Sequence, residues 1–327
     1  MFETVRIGII GTGWIAEKMA ITLQGMGDDV IAYGVASRDA ERAKAFAQKW
    51  GIANSFSSYE AMLQDEHIDL VYIATPHSHH YEHAKMCLLK GKAVLCEKAF
   101  TANAAQAEEL LNLARERNVF ITEAIWTRYM PLSRTINEFV SNGVIGEPTM
   151  LTANLGYPIG YKERMLQPAL AGGALLDLGV YTLNFASMVF GTEIEKVVST
   201  CVKTDTGVDS QNAITLIFKD HKMAVLHSSM ECMSDRQGII SGTKGHLIIE
   251  NINNPQRVTV VSGDYEMLAH YNCPPQITGY EYQVYACIEA LREGWIESPY
   301  MPHVETLRIM KLMDQLRKEW GVIYPFD

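Results

Sequence analysis

Apolar residues in the first third of the chain fall in short runs, separated by segments whose apolar positions recur every three to four residues. Val5–Ile10, Val30–Ala36, Ile68–Ala74, Lys92–Cys96 and Val119–Glu123 read as strands, with a shorter one at Ser55-Phe56. Continuous runs of this length suit strands covered on both faces. Between them Ile15–Met26, Asp39–Trp50, a segment from Ser58, a segment holding His79 and His83, and Asn103–Arg117 carry the helical spacing. Strand alternating with helix at this rhythm predicts an α/β, doubly wound parallel sheet.

From Ala124 the rhythm changes. A helix is predicted after Trp126 through Val140, and a long apolar helix from about Gly172 to Phe190. Strand-like runs follow at Pro148–Leu155, Lys196–Val202, Ala213–Phe218, Met223–Ser228, Gly238–Ser241, His246–Glu250 and Arg257–Val261. Helical spacing returns at Tyr280–Arg292 and Val304–Trp320. Consecutive strands with few helices predict an α+β domain with a largely antiparallel, open-faced sheet. Helices are expected on one face, leaving the other for a partner subunit. A chain of 327 residues suits two domains. We place a dinucleotide-binding, Rossmann-like domain at 1–124 and a substrate-binding and oligomerisation domain at 125–327.

Composition narrows the partners. Hydrophobic residues make up 48% of the chain and charged residues 20%, an ordinary globular balance. A net charge of -10 argues against nucleic acid, whose phosphates need a basic surface. Met1-Phe2-Glu3-Thr4 lacks the parts of a signal peptide, and no apolar run is expected to approach transmembrane length. The six cysteines are scattered without a C-x-x-C pair, as reduced thiols of a cytoplasmic protein would be.

The first candidate chemistry lies at Gly11-Thr12-Gly13-Trp14-Ile15-Ala16. This fits G-x-G-x-x-G/A between a strand and a helix. The first glycine makes the turn, the second admits a pyrophosphate, and the small third residue lets helix and strand lie close. The helix N-terminus then presents N–H groups to the phosphates. The next strand ends in Ser37-Arg38, where enzymes preferring NAD carry Asp or Glu for the ribose hydroxyls. A hydroxyl and a guanidinium suit a 2′-phosphate, so the ending favours NADP(H) over NAD(H). Ser37 also suits a helix cap, and the two roles are compatible.

Ligands in such sheets gather at the carboxyl ends of strands, which places Thr75-Pro76-His77 beside the cofactor. His79 and His83 share a helix face at a spacing able to chelate a metal, but no H-E-x-x-H motif or cysteine ligand accompanies them, and no metal is expected. Tyr81 and Lys85 match a Y-x-x-x-K spacing by accident. Glu97-Lys98-Ala99 ends another strand, so Lys98 is expected toward the nicotinamide end.

Together the glycine turn, Thr75-Pro76-His77-Ser78-His79-His80, Glu97-Lys98-Ala99 and Gly172 to Tyr181 resemble the glucose–fructose oxidoreductase/inositol dehydrogenase (Gfo/Idh/MocA) family over essentially the whole chain. Glu123-Ala124-Ile125-Trp126-Thr127-Arg128-Tyr129 and Asp177-Leu178-Gly179-Val180-Tyr181 are most similar to its dihydrodiol and D-xylose dehydrogenase branch. Two departures stand out. Ala99 replaces the proline of Glu-Lys-Pro, which relaxes a backbone constraint, and Tyr181 stands where many relatives carry histidine.

The resemblance implies hydride transfer between nicotinamide and a secondary alcohol or hemiacetal of a sugar, polyol or cyclic trans-diol. Such a reaction also moves a proton. Tyrosine ordinarily titrates at about 10, and a nearby ammonium favours its phenolate. Tyr181 is therefore expected as general acid/base, with Lys98 as its electrostatic partner and Asp177, one turn earlier, orienting substrate hydroxyls or Lys98. A core position for the Tyr181 ring and a helix-start role for Asp177 are the structural alternatives. Trp126, Arg128, Tyr157 and Tyr161 are candidates for the substrate wall, Trp126 foremost because an aromatic face suits a sugar or aryl ring. His80 matches the family histidine after the Thr-Pro turn, with a place near cofactor or a structural role both open. A homodimer or homotetramer is expected from the fold. The competing class is a non-enzymatic NADP(H)-binding sensor or regulator, against which retention of Lys98, Asp177 and Tyr181 together speaks.

Overall fold

The computed structural model describes residues 4–327; Met1-Phe2-Glu3, most of the stretch read above for a leader, lies outside them. The chain divides into two compact units, one comprising residues up to Ile125 with Gln276–Lys311, the other Trp126–Pro275 with Leu312–Asp327.

In the first unit the order is β1 (Val5–Ile10), α1 (Trp14–Gly25), β2 (Val30–Ala36), α2 (Ala40–Trp50), β3 (Asn54–Phe56), α3 (Tyr59–Leu63), β4 (Leu70–Ile73), α4 (His77–Leu89), β5 (Ala93–Glu97), α5 (Ala104–Arg117) and β6 (Ile121–Ala124). Among the described residues these strands form one parallel sheet in the order β3-β2-β1-β4-β5-β6. Chain order reverses between β1 and β4, which creates a crevice at their carboxyl ends. Every residue of β4 and β5 is buried, as the apolar runs Leu70–Ile73 and Ala93–Cys96 require, and Glu97 is buried with them. Ile7, Ile9, Leu70, Tyr72 and Leu95 meet Met19 and Leu23 of α1 in a single core. Asp39 caps α2, accepting from the N–H groups of Glu41 and Arg42, so the cap falls there and not on Ser37.

The second unit runs through α6 (Pro131–Ser141), β7 (Pro148–Gly156), α7 (Glu163–Leu166), α8 (Val180–Phe190), β8 (Ile194–Lys203), β9 (Asp209–Phe218), β10 (Met223–Ser229), β11 (Gly238–Gly242), β12 (Gly245–Glu250), β13 (Arg257–Ser262) and β14 (Met267–Asn272). The chain ends with α9 (Glu281–Glu293) and α10 (His303–Trp320). The sheet order is β14-β13-β12-β11-β7-β10-β9-β8, antiparallel except where β10 pairs with β7. The edge strand β14, absent from the sequence reading, is largely exposed on both faces, so no burial periodicity marks it.

Two expectations change. The boundary at 125 assigns all later residues to the second domain, whereas 276–311 belong to the first unit. Val284, Cys287 and Ile288 of α9 join the core of the parallel sheet. The Ile121 N–H donates to the Ile296 carbonyl (3.1 Å), and His303 Nε2 meets the Ile121 carbonyl (3.0 Å). The returning segment thus covers the edge that β6 would leave open. The stretch Pro168–Phe190 is also longer and more apolar than the sequence reading allowed, enough to span a membrane by length and composition alone. Most of it, 83%, is buried within the protein, as befits a core helix.

Candidate active site

In the first unit the glycine turn has the geometry its motif demands. Gly11 lies at φ +109°, and a Cβ there would stand 2.8 Å from the Ala74 carbonyl oxygen. Its N–H donates to the Ala36 carbonyl (2.9 Å), which ties the turn to the end of β2. A Cβ on Gly13 would meet nothing within 4 Å, and α1 has no side-chain cap. The α1 N-terminus therefore offers uncapped N–H groups beside open space, which fits a pyrophosphate. Ala16 is fully buried between helix and sheet, while Thr12 and Ile15 are half-buried and Trp14 is exposed. Ser37 is buried at the end of β2 and Arg38 is exposed beside it. These residues fit a phosphorylated dinucleotide.

The loop after β4 is braced by histidines. His80 is fully buried, with Nδ1 2.8 Å from the Ala99 carbonyl and Nε2 2.8 Å from the Thr75 carbonyl. Burial pushes its pKa down to about 4, helped by the Lys98 charge. His80 thus lies between the turn after β4 and the turn after β5, and as a neutral ring it donates to one of the two carbonyls, since only one of its nitrogens then carries a proton. His83 packs its ring against Tyr59 at 4.6 Å and meets Thr75 Oγ1 at 3.1 Å, while burial and then its neighbour His79 lower its pKa to about 4. His77 is buried at the start of α4, behind Pro76 at the helix cap. Among the described residues no group of three or more His, Cys, Asp or Glu is gathered for a metal.

Glu97 is buried at the end of β5 and accepts from the Tyr72 hydroxyl at 2.5 Å. Half-buried Lys98 follows, and the Lys98–Ala99 peptide is cis. Glu123 accepts from the Phe100 N–H at 3.1 Å, fixing the chain beyond that bond.

The second unit assembles a different group. Leu175–Gly179 forms a π-turn that runs directly into α8, so Asp177 and Tyr181 lie on one continuous helical segment. Wide turns of this kind recur at functional sites. The buried Trp126 indole N–H donates to the Tyr181 hydroxyl at 2.9 Å. Arg164 grips Asp177 through both carboxylate oxygens, at 2.9 and 3.4 Å. Arg128 donates to Asn184 (2.6 Å) and Ser187 (3.2 Å) along α8, holding that helix. Tyr157 receives Arg236 Nη1 at 3.0 Å and Asn253 Nδ2 at 3.3 Å on its hydroxyl. Tyr161 is 79% exposed with Lys162 above its ring. Beneath the π-turn the buried Asp209 accepts from the Leu175 N–H (2.8 Å) and Asn212 Nδ2 (2.9 Å). Burial raises its pKa to about 7.

A family model described as "Oxidoreductase family, NAD-binding Rossmann fold" matches residues 5–124, and one described as "GFO/IDH/MocA C-terminal domain" matches 133–248. The chain belongs to the GFO/IDH/MocA oxidoreductase family. GFO/IDH/MocA relatives include the trans-1,2-dihydrobenzene-1,2-diol dehydrogenases of Mus musculus, 33% identical over 99% of both chains, and of Xenopus laevis, 35% identical over 97% of this chain and 98% of the relative. A solved 3-ketoreductase from Actinomadura kijaniata, in complex with NADP and TDP-benzene, is 27% identical with a TM-score of 0.87, covering 96% of this chain and 97% of its own. A levoglucosan dehydrogenase, 17% identical over 97% of both chains with a TM-score of 0.85, shares the fold.

Sequence reasoning found Trp126 and Tyr181 separately but not their hydrogen bond. Arg164, Asp209, Arg236 and Asn253 escaped it altogether. Each acts on a partner distant in sequence, and Asp209 stands in a polar run, Asp209-Ser210-Gln211-Asn212, that does not single it out.

Proposed function

We propose that this chain is an NADP(H)-dependent oxidoreductase acting on a secondary alcohol or hemiacetal of a sugar, polyol or cyclic trans-diol. Tyr181 is its general acid/base. The observation that carries the reading is the indole N–H of Trp126 held on the Tyr181 hydroxyl at 2.9 Å. An N–H donor on a phenolic oxygen stabilises the charge that forms there when the proton leaves. Family membership and the NADP complex of the ketoreductase relative support the cofactor, as do Ser37 and Arg38 at the end of β2.

Gly11, Thr12, Gly13, Trp14 and Ile15 hold the pyrophosphate end, and Ser37 with Arg38 the 2′-phosphate. Thr75, Pro76, His77, His80 and Glu97 shape the cofactor site along the strand ends. When bound, the nicotinamide cofactor supplies or accepts the hydride. Tyr181 takes the alcohol proton during oxidation and returns it during reduction. Lys98 assists by favouring the phenolate and binding the reacting oxygen, and Asp177 orients substrate hydroxyls. Trp126, Arg128, Tyr157 and Tyr161 contribute to the substrate wall.

The test follows NADPH absorbance with sugars, cyclic polyols and trans-dihydrodiols, beside parallel titrations with NADPH and NADH. Turnover of at least one class, with tighter binding of NADPH, is expected. Cofactor binding without turnover of any class would point to a sensor, and tighter binding of NADH would overturn the cofactor assignment.

A further inference from the structure

Arg236 is a cation of the second unit that the proposed reaction leaves unused. Its backbone sits in the left-handed region at φ +58°, a conformation disfavoured for a non-glycine residue. Main-chain contacts hold it there. The Arg236 N–H donates to Asn154 Oδ1 (3.1 Å) and Ser234 Oγ (3.3 Å), and its carbonyl accepts from the Ile252 N–H (2.8 Å). The half-buried side chain is aimed as firmly. Nη1 donates to the Tyr157 hydroxyl at 3.0 Å, and the guanidinium lies 5.3 Å from the Tyr157 ring centroid. Nε is buried with no acceptor. The adjacent carboxylate, Asp235, is engaged elsewhere, accepting from Asn154 Nδ2 (2.6 Å) and the Gln237 N–H (3.1 Å).

With Nε closed off from solvent and Nη1 on the Tyr157 hydroxyl, this half-buried guanidinium is fixed in place and can receive an oxyanion on its outer nitrogens. Its planar fork suits carboxylate and phosphate. Its position connects to the proposed proton-transfer residue without a break. The Tyr157 hydroxyl that receives Arg236 also receives Asn253 Nδ2, and the Asn253 carbonyl accepts from Thr127 Oγ1 at 2.9 Å. Thr127 follows Trp126, whose indole meets Tyr181.

We propose that Arg236, set by Tyr157 and Asn253, binds an oxyanion on the substrate, so that the preferred substrate is a sugar or polyol bearing a carboxylate or phosphate away from the reacting carbon. This narrows the substrate class and rests on the reading of the chain as a hydride-transferring enzyme.

The experiment compares glucose, glucuronate and glucose 6-phosphate on the full chain with NADP+. It reads kcat and KM from NADPH absorbance and, separately, binding by calorimetry. The wild-type protein is expected to bind one of the anionic sugars more tightly than glucose, and the favoured anion distinguishes carboxylate from phosphate. Arg236→Met is expected to lower the anionic-to-neutral ratio of kcat/KM by roughly 10- to 100-fold, the range of a lost hydrogen bond to a charged group, mainly through KM. Arg236→Lys, which keeps the charge, should retain most of that ratio. A wild-type protein that binds neither anion better than glucose overturns the proposal without needing any variant. A loss in Arg236→Met that is equal for all three sugars also overturns it and leaves Arg236 a packing residue. Arg236-dependent anion binding without turnover of any sugar keeps the anion site and counts against the enzyme reading. Turnover of glucose with no preference for either anion does the reverse.

Discussion

Trp126 and Tyr181, 55 residues apart, meet through a single 2.9 Å hydrogen bond from indole nitrogen to phenol oxygen. Both side chains are buried, and each comes from a different local structure, Trp126 from a short 3-10 turn and Tyr181 from the first turn of α8. Replacing Tyr181 with Phe removes the proposed proton carrier and is expected to lower kcat by about 10²- to 10⁴-fold. Trp126→Phe keeps an aromatic wall but loses the donor, and a smaller fall of roughly 10-fold is expected. Steady-state kinetics at saturating cofactor check both. Near-normal turnover of Tyr181→Phe with intact NADPH binding would remove Tyr181 as acid/base.

Arg38 stands exposed at the end of β2, next to buried Ser37 and clear of the α2 cap supplied by Asp39. Its proposed partner is the 2′-phosphate, a charge-assisted contact. Arg38→Ala is expected to reduce the preference for NADPH over NADH by roughly 10- to 100-fold, measured as the ratio of their dissociation constants by fluorescence titration. An unchanged ratio would release Arg38 from cofactor selection.

Asp209 and the buried histidines act oppositely on stability. Asp209, raised to about 7 by burial, binds a proton in the folded protein between pH 4 and 7 that the unfolded chain releases, so its contribution falls as pH rises through that window. Arg317, Asn212 and the Leu175 N–H moderate the shift, and Cys201 and Tyr324 are its other titrating neighbours. His80 and His83, lowered to about 4, contribute stability at neutral pH that is lost as pH falls from 6.5 toward 4. The two trends offset in the wild-type protein, so the test is a difference. Asp209→Asn keeps an acceptor for the Leu175 N–H and should gain stability relative to wild type as pH rises from 4 to 7, read by urea unfolding. A difference independent of pH would show that Asp209 does not titrate there.

One face of the eight-stranded sheet carries an apolar surface. The pairing registers put Val198 and Val202 of β8 on the same side as Thr215, Met223 and Met150, and Val198, Val202, Met223 and Met150 are exposed. A patch of this kind commonly marks a subunit interface. A homodimer or homotetramer through this face is proposed, with Val198→Lys and Val202→Glu together expected to yield monomer in multi-angle light scattering. A wild-type chain that is already monomeric at micromolar concentration would reject it.

Much of this protein was legible along the chain because its causes are local. Unbroken apolar runs at Leu70–Ile73 and Ala93–Cys96 require strands buried on both faces, and Gly11 marks a turn where a side chain would strike Ala74. The motifs that place the chain in its family, from the glycine turn to Asp177 and Tyr181, are likewise contiguous in sequence. Tertiary structure decided what contiguous residues cannot encode. The return of 276–311 to the first unit follows from the exposed edge of β6, which exists only once the sheet is assembled. The grip of Arg164 on Asp177, the support of Asp209 beneath Leu175 and the aim of Arg236 through Tyr157 each join residues 13 to 79 positions apart. No periodicity or spacing links such pairs, because hydrogen bonds depend on where side chains meet in space, and packing alone sets that.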